Sequence, residues 1–235
     1  LPIKVASNIR ARKLLEPGSR VLVGLSGGPD SVALLLCLAE LARKRDLRYS
    51  LCAAHLNHRL RGKSAERDQR FCRTLCAKLK VDFTEARCDT GRLAQHLKRS
   101  KEEAARIARR AFLARVAQVK GCRHVAVAHH ADDRIETVLY RLCRGTGLAG
   151  LEGIGWNGPL ALAGEPVVSE WIEWLRNGRK SPEPFLPKGS AAAETEGVVR
   201  PMLGCMREEI LDYLAVKRQR YCTDETNFDT RIPRN

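Results

Sequence analysis

Short, Val-rich apolar runs alternate with longer amphipathic segments along the first two thirds of the chain. Arg20 to Leu25 (RVLVGL) is apolar without a break, the pattern of a strand buried on both faces. It leads through Ser26–Ser31 into Val32–Ala42, which is apolar nearly all round and so predicts a buried helix. Tyr49 to Leu56 predicts a second strand, Ser64 to Leu79 an amphipathic helix, and Asp82 to Cys88 a weaker third strand. Lys101 to Val119 predicts another helix and His124 to Ala128 a fourth strand. A helix over Asp132 to Cys143 follows, ahead of a turn at Gly145–Gly147. Strands alternating with helices of this length predict an α/β fold, a Rossmann-like parallel sheet with helices on both faces. Such sheets bind ligands beyond the carboxyl ends of their strands, the edge to which loops 26–31 and 129–136 belong.

The pattern breaks between Gly155 and about Gly197, where prolines 159, 166, 182, 184 and 187 interrupt it. Only Val168 to Leu175 predicts a short helix there, and Trp156, Trp171 and Trp174 read as packing residues. We therefore expect one domain over 1–235 with an insertion or long loop at about 156–197. Regular structure resumes at Val198–Leu203 and in a helix over Arg207–Lys217. The chain opens on Leu1 rather than Met, as a trimmed sequence would.

Charge sharpens this picture. The chain of 235 residues carries 42 Lys+Arg against 27 Asp+Glu, a net of +15. Between Asn57 and Arg123 we count 19 basic and 7 acidic residues, so +12 of the excess lies in that stretch. Solvated helix faces account for part of it, since Glu102 and Glu103 can pair with Arg106, Arg109 and Arg110. An anionic partner accounts better for what remains. No apolar run is long enough to span a membrane. The nine cysteines lack the spacing of a disulfide scaffold or zinc motif, and read as thiols of a reducing, cytoplasmic compartment.

The candidate chemistry begins at Gly24–Ser31, a glycine-rich link between strand and helix. Successive glycines let backbone N–H groups gather around a phosphate, and the following helix N-terminus adds partial positive charge. Ser26 and Ser31 offer hydroxyls, and the spacing is neither that of a Walker A loop nor G-x-G-x-x-G. Asp30 would be repelled by bound phosphates unless a cation such as Mg²⁺ lay between them. His129-His130 followed by Asp132-Asp133 lacks a third nitrogen or sulfur ligand at zinc spacing. His55 and His58 leave two readings open, hydrogen bonding at a strand end or contact with a ligand.

Ser26-Gly27-Gly28-Pro29-Asp30-Ser31 resembles the SGGxDS signature of the PP-loop ATP pyrophosphatases. Further motifs resemble one branch, the tRNA(Ile)-lysidine synthetases. These are His55-Leu-Asn-His58-Arg-Leu-Arg61-Gly62, Glu102-Glu-Ala-Ala-Arg106-Ile-Ala-Arg109, and His129-His130-Ala-Asp132-Asp133-Arg-Ile-Glu136-Thr137. Arg144–Leu151 continues that block, and Arg200-Pro201, Arg207–Ile210, Asp224, Asn227 and Arg234-Asn235 follow in family order. The resemblance implies ATP-dependent joining of free L-lysine to the wobble cytidine of a CAU-anticodon tRNA(Ile) through an adenylated intermediate. ATP and Mg²⁺ would be the cofactors and the cytoplasm the location; a homodimer stays open.

By motif position, Ser26, Gly27, Gly28, Pro29, Asp30 and Ser31 would cradle the nucleotide, with Asp30 and Asp133 holding Mg²⁺. Arg109, with Arg106 as second choice, would meet the α-phosphate or the activated cytidine. His129 would contact nucleotide or cytidine, and Glu136 would orient Arg109 or the lysine amine. His55, His58, Arg61 and Arg106 would contact tRNA or nucleotide. Arg110 and Arg134 depart from the family pattern, which has Tyr and Gln there. Members usually continue into a linker helix and tRNA-binding domains, which we expect this chain to lack.

Overall fold

The computed structural model describes residues 1–44, 47–147, 151–160 and 196–223. In chain order the elements are α1 (Pro2–Ala11), β1 (Arg20–Gly24), α2 (Pro29–Ala42), β2 (Ser50–Asn57), α3 (Lys63–Leu79) and β3 (Asp82–Arg87). Then come α4 (Thr90–Leu97), α5 (Lys101–Lys120), β4 (His124–Ala126), α6 (Ala131–Cys143), β5 (Asn157–Gly158), β6 (Gly197–Val199) and α7 (Arg207–Val216). The described strands form one sheet in the order β3-β2-β1-β4-β6-β5, parallel except for the β5–β6 pair. The expected parallel α/β sheet is therefore present. The expected helix at Val168–Leu175, most of the 156–197 insertion, and Asp224, Asn227, Arg234 and Asn235 lie outside the described residues.

Side-chain alternation along each strand sorts the core into two layers. Val21, Val23, Ala53, Ala126 and Val199 face α1, α2, α3 and α7. Leu22, Cys52, Ala54, Val125 and Val198 face α4 and α5, where Phe112 is fully buried. Burying a phenylalanine of that kind contributes roughly 1.5–3 kcal/mol. Gly24 faces the same layer, and a Cβ there would stand 3.3 Å from Leu113 Cδ1. Its bareness lets α5 close onto the end of β1.

Helices α1 and α4 were not expected from the sequence. Each buries only three residues, Val5, Ala6 and Ile9 in α1 and Thr90, Leu93 and Ala94 in α4. Their start signals are local: Pro2 in the first turn of α1, and Asp89, whose carboxylate accepts the Arg92 N–H at 3.1 Å. Helix α5 has fuller signals. Ser100 Oγ accepts the Glu103 N–H at 3.1 Å, and Gly121 closes the helix at φ 64°. Strand β4 ends at Ala126 rather than Ala128, although the Val127 N–H still donates to the Val199 carbonyl at 3.0 Å. Among the described residues no helix is long and apolar enough to cross a membrane.

Candidate active site

From β1 the chain passes to β2 and β3 on one side, while β4 lies on the other side of β1. The loops leaving β1 and β4 therefore diverge, opening a crevice at their carboxyl ends. The first loop is held by its own hydroxyls. Ser31 Oγ accepts the N–H groups of Ser26 (3.1 Å) and Gly27 (3.2 Å) and donates to the Gly28 carbonyl (3.0 Å). Ser26 Oγ lies 3.0 Å from Ser31 Oγ and accepts the Gly28 N–H at 3.4 Å. Ser31 is buried and Ser26 exposed, so Ser31 shapes the loop from within while Ser26 faces outward. Pro29 opens α2 at a position whose N–H would have no helical partner, and Asp30 follows in the first turn.

Gly27 has φ +95°, and a Cβ on it would meet Cys72 Sγ at 3.3 Å and Cys222 Sγ at 3.4 Å. We expect Gly27→Ala to cost about 1–3 kcal/mol in backbone strain. The urea midpoint should fall, and calorimetry should show ATP binding weakened about ten-fold or more, the equivalent of ~1.4 kcal/mol.

The second loop carries the carboxylates opposite. His130 N donates to Asp133 Oδ2 at 2.9 Å, and Asp132 Oδ2 accepts the backbone N–H of Arg207 at 2.9 Å. Ala131 N donates to the Cys205 carbonyl at 2.8 Å, tying this loop to the approach of α7. Arg207 Nη1 stands 3.4 Å from Asp30 Oδ2. Burial pushes the Asp30 carboxyl above its ordinary range; Arg207 and His130 pull it back and the Asp133 carboxylate adds to the rise. Asp30 and Asp133 thus form a pair of like charges that a cation would relieve.

Arg109 is exposed to solvent, yet desolvation by surrounding protein lowers its guanidinium from the ordinary value. Exposure combined with dense surroundings describes the wall of a cleft. Arg109 has no carboxylate partner among the described residues. His129 shares that situation: burial lowers its imidazole, helped by Arg200 and Arg109 and opposed by Asp133. Asp30, Asp133, His129 and Arg109 therefore belong to one electrostatic neighbourhood. A glycine loop, two carboxylates and an arginine without a carboxylate partner among the described residues are thus neighbours.

The PP-loop domain model matches residues 3–235. The chain belongs to the PP-loop domain family. It is 38% identical over 233 residues to tRNA(Ile)-lysidine synthase of Porphyromonas gingivalis, covering 99% of this chain and 42% of that protein. With the enzyme of the same name from Chlorobaculum tepidum it is 34% identical over 232 residues, 99% of this chain and 58% of the relative. The chain thus spans about half the length, or less, of these curated relatives. Among solved structures, the U34-tRNA thiolase NcsA of Methanococcus maripaludis superposes with a TM-score of 0.61 at 17% identity. That likeness covers 94% of this chain and 63% of the thiolase and concerns the fold alone.

Around the PP-loop, the remaining expected site residues separate by burial. His55 is buried, with Nδ1 2.9 Å from the Leu25 carbonyl and 3.6 Å from Cys72 Sγ. It stands as a brace at the strand end, behind the PP-loop. His58 Nδ1 lies 3.0 Å from Thr90 Oγ1. Arg61 Nη2 pairs at 3.0 Å with the buried Asp68. Arg106 and Glu136 are exposed, each three residues from a crevice residue, Arg109 on α5 and Asp133 on α6. The unusual Arg110 has a local reason: its guanidinium donates to the carbonyls of Leu160 (3.1 Å) and Pro159 (3.0 Å), where the insertion begins. Arg134 Nη2 donates to the Glu152 carbonyl at 3.4 Å.

The structure adds His130, Asp132 and Arg207 to the crevice. Two of these stood inside the His-His-Asp-Asp block, but nothing local assigned them a task. Arg207 lies beyond the insertion, so only the packing of α7 brings it to Asp30.

Burial, reinforced by Arg109, His55 and Arg61, pushes the His58 imidazole down to about 3 from its ordinary 6.5. Its folded value lies below the unfolded one, so its contribution is whole above pH 6.5 and is lost as pH falls toward about 3. We expect the urea midpoint to drop through that window. In His58→Gln the drop should be shallower; an unchanged slope would remove His58 from the acid response.

Proposed function

We propose that the protein containing this domain is a tRNA(Ile)-lysidine synthase. The observation that carries the proposal is 38% identity to such an enzyme running over 99% of the chain. Bound ATP would lie with its pyrophosphate against the Ser26–Ser31 loop and the N-terminus of α2. The C2 carbonyl oxygen of the wobble cytidine in a CAU-anticodon tRNA(Ile) attacks the α-phosphorus, and pyrophosphate leaves. The ε-amine of free lysine then adds at C2 and AMP departs with that oxygen, leaving lysidine.

The residues present fit a magnesium ion. Asp30 Oδ1 is buried and has no hydrogen-bond partner among the described residues, and two hard carboxylates are the ligands this ion takes beside phosphates and water. Among the described residues no cluster of three or more His, Cys, Asp or Glu is arranged to hold a metal alone. Two carboxylates completed by a nucleotide agree with that. Asp30 and Asp133 would hold the ion, which when bound neutralises charge on the phosphate oxygens. Arg109, desolvated and without a carboxylate partner among the described residues, would stabilise the charge that develops at the α-phosphate. His129 would contact the nucleotide or cytidine, and Glu136 would orient the lysine amine. The basic stretch from Asn57 to Arg123 would meet the tRNA backbone, contributing affinity and register. With these substrates the enzyme would act in the cytoplasm.

The test is nucleoside mass spectrometry after incubating the full-length protein with ATP, Mg²⁺, lysine and the CAU-anticodon tRNA. A lysine adduct on cytidine is expected. Thiolated cytidine, or unmodified tRNA, would overturn the proposal.

A further inference from the structure

His130 sits at the centre of the crevice with a side chain that no step above uses. Its residue is 3% exposed, so the ring has one packed orientation. Nε2 lies 3.8 Å from Asp30 Oδ1 and 3.6 Å from Asp133 Oδ2, while Nδ1 lies 3.3 Å from Asp132 Oδ2. The same Asp132 oxygen accepts the N–H of Arg207, whose guanidinium reaches Asp30. One imidazole thus touches the first turn of α2 and the first turn of α6 and, through Asp132, meets the first turn of α7.

We infer that His130 is the positioning residue that sets the spacing of the Asp30 and Asp133 carboxylates, and thereby the affinity of the domain for a divalent cation. This rests on the metal role proposed for those two carboxylates. Two like charges on separate segments repel, and each alone would swing away from the other. The backbone N–H of His130 fixes Asp133 only, because Asp30 belongs to another helix. The ring is what stands between them. At 3.6 and 3.8 Å its Nε2 is beyond good hydrogen-bonding distance, so this polar nitrogen draws both carboxylates toward it electrostatically without consuming the lone pairs a cation needs. Asp30 Oδ1 accordingly keeps no hydrogen-bond partner among the described residues. Outer groups that orient carboxylate ligands change metal affinity by about 10–100-fold when replaced.

The test is titration of the full chain with Mn²⁺, read by electron paramagnetic resonance in the presence of a non-hydrolysable ATP analogue. His130→Phe fills the space without a polar atom and should weaken Mn²⁺ binding at least about ten-fold. His130→Gln carries its amide nitrogen to the Nε2 position and should stay within about three-fold of wild type, a small fraction of that range. His130→Asn reaches only the Nδ1 position, toward Asp132, and should behave like the Phe variant. Wild-type affinity in all three variants would overturn the inference. So would equal weakening in all three with a matching fall in the urea midpoint, since that marks a general packing role. Asp30→Asn and Asp133→Asn serve as comparators. If neither changes Mn²⁺ binding, the metal assignment itself fails; if both do and His130→Phe does not, only the role of His130 falls.

Discussion

Asp30→Asn and Asp133→Asn should each lower ATP–pyrophosphate exchange by about 10²-fold or more, the scale of losing one electrostatic contact to a reacting centre. Each change keeps the shape of the side chain and removes its charge. The Asp30 carboxyl is the more telling of the two, because burial and Asp133 already work against its ionisation. Its folded pKa lies above the ordinary one, so its contribution to stability is lost as pH rises through that raised value. Above that value the ionised carboxylate costs stability in the unliganded protein. We expect Asp30→Asn to bring an equal or higher urea midpoint together with the loss of exchange, the trade-off of a strained site. Retention of near wild-type exchange in both variants would sink the assignment of these residues to the cation.

Arg109→Ala should cost more, about 10³-fold or beyond in kcat, as removal of a phosphate-stabilising arginine does in other phosphoryl transfers. The loss should fall on kcat and leave KM for ATP nearly unchanged, because the loop and the N-terminus of α2 hold the ground-state phosphates. Arg109→Lys keeps charge but loses the planar fork, so it should recover only part of the rate. A second readout is independent of catalysis. The charge of Arg109 presses down the imidazoles of His129, His58 and His55, so its removal should raise all three in an NMR titration. Activity that survives Arg109→Ala while those imidazoles shift would leave Arg109 in the cleft but out of the chemistry.

The extent to which residues could be read from the chain varied with the range of the cause. Strand β1, its glycine turn and α2 were legible because a Val-rich run, Gly27, Gly28 and Pro29 act within a few residues. Helices α1 and α4 were not, since three buried positions each leave little periodic signal. His55 admitted two readings, and its burial and contact with the Leu25 carbonyl belong to packing that no local pattern records. Charge behaved in the same way. The excess between Asn57 and Arg123 is visible in composition, yet ion pairs across elements use part of it. Arg123 meets Glu16 and Glu196, both outside that stretch.

By itself the sequence determined the α/β alternation, the phosphate-type loop, the acids available beside it and the family to which they belong. These rest on local periodicity, backbone freedom and residue type. Only the tertiary structure decided that β4 lies beside β1, and with it that His130 stands between Asp30 and Asp133 while Arg207 reaches Asp30. Those distances depend on which strands pair and how α7 packs on α2. Such contacts join segments far apart in sequence, and no local pattern records them.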